Sequence, residues 1–159
     1  VGGATEFEIH ARRSQVEDAL AATRSAVEEG VVPGGGIGLL RATAAVHAME
    51  CTSPAEEAGR RLVLAALTEP ARQIGINAGE EGGTLVARLL AGEGAFGFNA
   101  RSGRYGDLEE QGILDPAKVC RCALENAASI AGLMLTTDVL VVEDEPAEEG
   151  EEGGESDAA

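Results

Sequence analysis

Gly112-Ile113-Leu114-Asp115-Pro116 decides how this chain of 159 residues is read. A short apolar stretch runs into Asp-Pro, and a long helical pattern follows at once. Upstream lie two further short loops, Gly34-Gly35-Gly36 and Asn99-Ala100, with long helical patterns separating all three. Each loop alone is a common turn. Their order suggests loops gathered from distant segments into one pocket. Pro116 is expected to open the last long helix, with Asp115 as its N-cap. Val119, Ala123, Ala127, Ile130, Ala131 and Leu133 would form that helix's apolar side.

Working outward, Thr5 and Glu8 have the spacing of a capping box, which predicts a helix from about Glu6. Val16, Ala19, Leu20, Thr23, Ala26 and Val27 give it an amphipathic stripe, and Gly30 a stop. Val31-Val32-Pro33 is extended, because the residue before proline avoids the helical region. A second helix is predicted from about Ile37 to Met49. Ser53-Pro54 starts a third, with Ser as N-cap and Pro in the first turn. Pro70 should interrupt that helix, leaving a shorter one through Ile74 and Ile76. Glu80 to Gly83 reads as a turn and Leu85 to Leu90 as helix. Gly92 to Gly106 reads as loop, with short strands placed near Phe96-Gly97-Phe98. A last short strand is expected over Val139-Leu140-Val141-Val142. The fold class is therefore mainly α, a helical bundle with short strands plus one long helix.

Composition narrows the function. Aromatic residues make up 3% of the chain and Trp is absent, so the core is built from Ala, Leu, Val and Ile. The formal charge of −16 argues against a non-specific nucleic-acid binder, which needs a basic face for phosphates. Nine acidic residues lie between Glu143 and Asp157 with no Lys or Arg among them. That Glu- and Gly-rich stretch, residues 143–159, cannot offset its ordering entropy by burial and is expected to be disordered. Cys51, Cys120 and Cys122 have no disulfide-framework spacing, which favours reduced thiols in a cytoplasm. No apolar run reaches membrane-spanning length and no signal peptide is visible, so no membrane partner is expected.

Few residues invite chemistry. Asp18, in Val16-Glu17-Asp18-Ala19-Leu20, is either a solvated helix-face carboxylate or one that orients a water attacking a γ-phosphate or helps hold its metal. Gly34-Gly35-Gly36 either connects helices or lets backbone approach a nucleotide closely. It is not a GxxxxGK[ST] phosphate loop. Asn99 could hydrogen-bond an adenine edge or simply sit in a turn. Asp115 could bond a ribose hydroxyl as well as cap a helix. His10 and His47 are isolated, and neither a zinc set nor a nucleophile–His–acid set is recognisable.

Over residues 1 to 142 the chain resembles the C-terminal third of a group I chaperonin, the bacterial GroEL type. The resemblance rests on Val1-Gly2-Gly3-Ala4-Thr5-Glu6, Val16-Glu17-Asp18-Ala19-Leu20, Ala22-Thr23-Arg24 and the run from Ala26 to Val32. It continues through Gly34-Gly35-Gly36, Arg72-Gln73-Ile74, Gly97-Phe98-Asn99-Ala100 and Gly112-Ile113-Leu114-Asp115-Pro116, and closes with Ala131-Gly132-Leu133-Met134 and Thr136-Thr137. It implies that residues 1–29 are the C-terminal half of an intermediate domain and 30–142 the C-terminal half of an equatorial ATPase domain, with 143–159 as the acidic tail. Asp18 matches the family's catalytic aspartate. Gly35, Asn99, Ala100, Ile113 and Asp115 match positions lining the adenosine part of an ATP pocket. Glu6 matches an intersubunit salt-bridge residue, and Glu29 with Arg121 a pair linking the two domains. Arg72 and Glu81 fall where opposite rings meet.

The implied protein is an ATP- and Mg2+-dependent folding machine of stacked seven-membered homo-oligomeric rings in the cytoplasm. Its partners would be a cochaperonin and unfolded polypeptide clients. The family's phosphate loop, metal-binding aspartate and apical domain lie outside this stretch, so the metal ligands are expected mainly from an N-terminal half. Pro33 stands where a small residue is usual, and the acidic tail stands where a Gly-Gly-Met repeat is usual. The alternative is a stand-alone helical interaction module, or an inactive truncation, without ATPase activity.

Overall fold

Reciprocal capping starts the first element. In the computed structural model, which describes residues 2–139 and residue 141, Thr5 Oγ1 accepts from Glu8 N at 3.2 Å and Glu8 Oε2 accepts from Ala4 N at 2.8 Å. Helix α1 then runs Glu6–Glu29 and ends at Gly30, whose φ of 82° ordinary side chains resist. Strand β1 (Val31–Pro33), α2 (Ile37–His47), α3 (Pro54–Asn77) and α4 (Gly82–Ala91) follow. After them come β2 (Phe96–Asn99), β3 (Arg104–Asp107), β4 (Leu114–Pro116) and α5 (Ala117–Leu135). The molecule is mainly helical with a few short strands.

Two small antiparallel ladders tie this together. β2 and β3 form a hairpin with Phe98 opposite Tyr105, while β1 pairs with β4 across some eighty residues, Val32 opposite Asp115. Ile37, Leu40, Ala71, Leu85, Leu89, Phe98 and Leu108 form one buried cluster, so the core lies among α2, α3, α4 and the hairpin. Arg41 on α2 donates to the carbonyls of Gly94, Leu89 and Phe96 at 2.9, 3.0 and 3.2 Å, fastening the turn that leads into β2.

Several expectations are corrected. Pro70 does not interrupt α3, because Leu67, Ala71 and Gly75 bury one continuous face through it; tertiary packing outweighs the lost hydrogen bond. α2 stops at His47 rather than Met49. Pro116 belongs to β4 and stands at the N-cap of α5, with no side-chain cap, so Asp115 is a ladder residue rather than a helix cap. The α5 residues assigned to an apolar core side are not buried: Val119, Ile130 and Leu133 are 50, 60 and 68% exposed. Nor does α1 bury its stripe, since the half-buried positions are Ala22, Ser25 and Ala26, while Val27 is 83% exposed. β3 and β4 fall in stretches read as loop and helix cap. The strand expected at 139–142 lies partly outside the described residues, and Val139 and Val141 carry no strand. The acidic stretch 143–159 lies outside them altogether.

Candidate functional site

The β1–β4 ladder brings the glycine turn against the Ile113–Asp115 segment. Gly34 N donates to the Ile113 carbonyl at 3.0 Å, one step beyond the last ladder pair, Pro33 with Leu114. Gly35 and Gly36 have φ of 66° and 78°, the left-handed region that glycine enters without steric cost. A Cβ on Gly36 would lie 2.8 Å from Ala71 N, so backbone passes backbone with no side chain between. A Cβ on Gly35 would lie 3.4 Å from Leu108 Cδ1 and 3.8 Å from the Phe98 carbonyl, next to Asn99. The three loops singled out in the sequence therefore converge at one corner of the core.

Asn99 ends β2 and is half-buried. Its Oδ1 accepts from Arg101 N and Ser102 N at 3.0 and 3.2 Å, and its Nδ2 donates to Gln111 Oε1 at 2.8 Å. Ala100 is exposed in the turn between β2 and β3. Ile113 packs against the core cluster, and its N donates to the Leu108 carbonyl at 2.8 Å. Asp115 is half-buried and its side chain has no hydrogen bond among the described residues. Burial pushes the Cys120 thiol upward in pKa, and the Asp115 carboxylate adds to that, so Cys120 stays protonated beside it. All three cysteines are free.

Asp18 stands apart from this corner. It is exposed on α1 and has no hydrogen bond or ion pair among the described residues. One turn further along, Ala22, Thr23 and Ala26 face Val31, Leu114 and Pro116 across a cleft of about 210 Å³. The structure thus gathers Gly35, Asn99, Ile113 and Asp115, leaves Ala100 at the exposed turn, and leaves Asp18 exposed on α1, one turn before the residues that face the ladder. A larger cavity of about 340 Å³ lies at the α2–α3 corner among Val46, Met49, Cys51, Arg60 and Val63, and contains none of these residues.

Between α1 and α5, Arg121 forks onto Glu29, with Nε at 3.0 Å and an Nη at 2.6 Å, and also bonds Glu125 at 2.8 Å. Hydrogen bonding from Arg121 holds the Glu29 acid below the ordinary carboxylate range. Lys118 pairs with Glu28 beside it. The Glu29–Arg121 contact that the resemblance implies is formed, although no periodicity in the sequence joins those positions. Glu6 lies 4.0 Å from His10. Arg72 forks onto Glu69, and Glu81 caps α4.

Sequence reasoning missed Gln111 and Arg41. Neither belongs to a motif, and each acts by bonds to backbone or side chains brought near only by folding. Among the described residues no group of three or more His, Cys, Asp or Glu could hold a metal ion, and no helix is long and apolar enough to cross a membrane. A family model described as the TCP-1/cpn60 chaperonin family matches residues 1–145.

Proposed function

Because this chain belongs to the TCP-1/cpn60 chaperonin family, whose members are protein-folding chaperones, we propose that it is the C-terminal intermediate and equatorial part of a group I chaperonin of the bacterial GroEL type. Residues 1–29 would belong to the intermediate domain and 30–142 to the equatorial ATPase domain. The assembly is a double ring of identical subunits in the cytoplasm, working with a cochaperonin on unfolded polypeptides.

The observation that carries the nucleotide reading is the convergence of the glycine turn, the end of β2 and the Ile113–Asp115 segment. The residues fit a nucleoside: two glycines without Cβ atoms allow close approach, Ile113 offers an apolar edge, and Asn99 and Asp115 have polar atoms to spare. They do not supply a phosphate cradle or a metal set, and both would come from elsewhere in the protein. Bound Mg-ATP supplies the γ-phosphoryl group and the cation that offsets its charge. Asp115 would accept from a ribose hydroxyl. Asp18, through its carboxylate oxygens, would accept a hydrogen bond from the attacking water and take up its proton. Arg121 and Glu29 would join the two domains by an exposed ion pair, weak enough to exchange between states.

The open faces of α3 and α5 agree with this. Leu62, Val63 and Ala66 face Leu124, Ala127, Ala128 and Ala131 across an apolar groove of about 200 Å³, a surface suited to packing against more of the equatorial domain. The test is Asp18→Ala in the whole protein, measuring ATP binding and hydrolysis side by side. Binding should stay within about two-fold while turnover falls by roughly 100-fold or more, the scale of a lost general base. Equal losses in both would refute the role given to Asp18.

A further inference from the structure

Both ends of the Gln111 side chain are engaged, and one of them fixes Asn99. Gln111 Nε2 donates to the Asp107 carbonyl at 2.9 Å, while its Oε1 accepts from Asn99 Nδ2 at 2.8 Å. Asn99 Oδ1 in turn accepts from Arg101 N and Ser102 N at 3.0 and 3.2 Å. Backbone N–H groups only donate and backbone carbonyls only accept. Exchanging N and O in either carboxamide would therefore set donor against donor or acceptor against acceptor. The pair has one orientation. In it, both lone pairs of Asn99 Oδ1 are used, one N–H is spent on Gln111, and one N–H has no partner among the described residues.

We infer that Gln111 is a positioning residue for the nucleoside site, locking Asn99 as a hydrogen-bond donor so that the bound base must present an acceptor, such as an unprotonated ring nitrogen, at that point. The inference rests on the nucleotide reading above. Gln111 acts only through Asn99. A base edge offering N–H there would face another N–H and be disfavoured.

The experiment uses the whole protein with Mg-ATP as the probe, comparing wild type, Gln111→Met, Asn99→Ala and the double variant. Methionine keeps an unbranched chain of similar length and removes both amide bonds. Gln111→Met should raise the KM and Kd for ATP about five-fold, the worth of one ordinary hydrogen bond, with kcat unchanged. Asn99→Ala should raise them at least as much. The double variant should be no worse than Asn99→Ala alone, because one residue works through the other. A purely structural Gln111 would instead lower the active fraction, so that kcat falls at constant KM or the two effects add; either result overturns the inference. An unchanged KM in Gln111→Met beside a raised one in Asn99→Ala overturns it too, while the nucleotide reading stands. No effect in either variant, or no ATP binding by wild type, removes both.

Discussion

Glu81 closes the first turn of α4, accepting from Gly83 N at 3.0 Å and Thr84 N at 2.6 Å. Hydrogen bonding from Thr84, its hydroxyl foremost, and then from the Gly83 amide lowers the Glu81 acid from 4.5 to about 2. A carboxyl depressed by folding adds stability above its unfolded value and loses it as pH falls through the folded one. The window here is therefore pH 4.5 down to about 2. Urea midpoints measured at pH 6 and pH 3 should differ less in Glu81→Ala than in wild type; an equal difference would remove Glu81 as the titrating group. The sequence marks Glu81 only as part of a turn, and its capping role shows in the structure. Asp115 is harder to read, because Asp-Pro before a helix predicts a cap just as well as a strand. Only Val32, far away in the chain, settles the matter by pairing with it.

Helices were more legible than strands for a physical reason. α1 and α3 carry their start signals locally, Thr5 with Glu8 and Ser53 with Pro54, and both begin where those caps place them. β1 and β4 are three residues each, too short to show a period of two, and their hydrogen bonds come from the other end of the chain. Pro70 marks the opposite failure, a strong local signal overruled by packing on both sides of it. Since proline costs a helix interior about 3 kcal/mol relative to alanine, Pro70→Ala should stabilise the protein by about 1–3 kcal/mol. Denaturant unfolding monitored by circular dichroism checks this. Loss of stability would mean that the proline ring makes packing contacts worth more than the bond it forfeits. At the corner where the loops meet, Gly35 and Asn99 were visible as turn residues, and Asp115 as a helix cap although it pairs in β4. Gln111 was not, because its partners are defined by the fold and not by spacing.

Across the whole molecule, the buried cluster sits among α2, α3, α4 and the β2–β3 hairpin, while α1 and α5 contain no buried residue. α1 is held near its C-terminal end, by the ladder beyond Gly30 and by the ion pairs of Glu28 and Glu29 with Lys118 and Arg121. Arg121→Ala should leave the global melting temperature nearly unchanged, because exposed ion pairs add little. It should speed amide exchange in the last turns of α1 while α2 and α4 keep their protection. Uniform loss of protection would show instead that the pair supports the core. Gly30 adds a mechanical consequence. At 1.5 Å per residue a 24-residue helix is a rod about 36 Å long. Pivoted at one end by roughly 10°, it would carry its tip about 6 Å and Asp18, near mid-length, about 3 Å. That is the length of one hydrogen bond, so a small rotation at a single glycine would have enough leverage to bring the Asp18 carboxylate into contact or take it out.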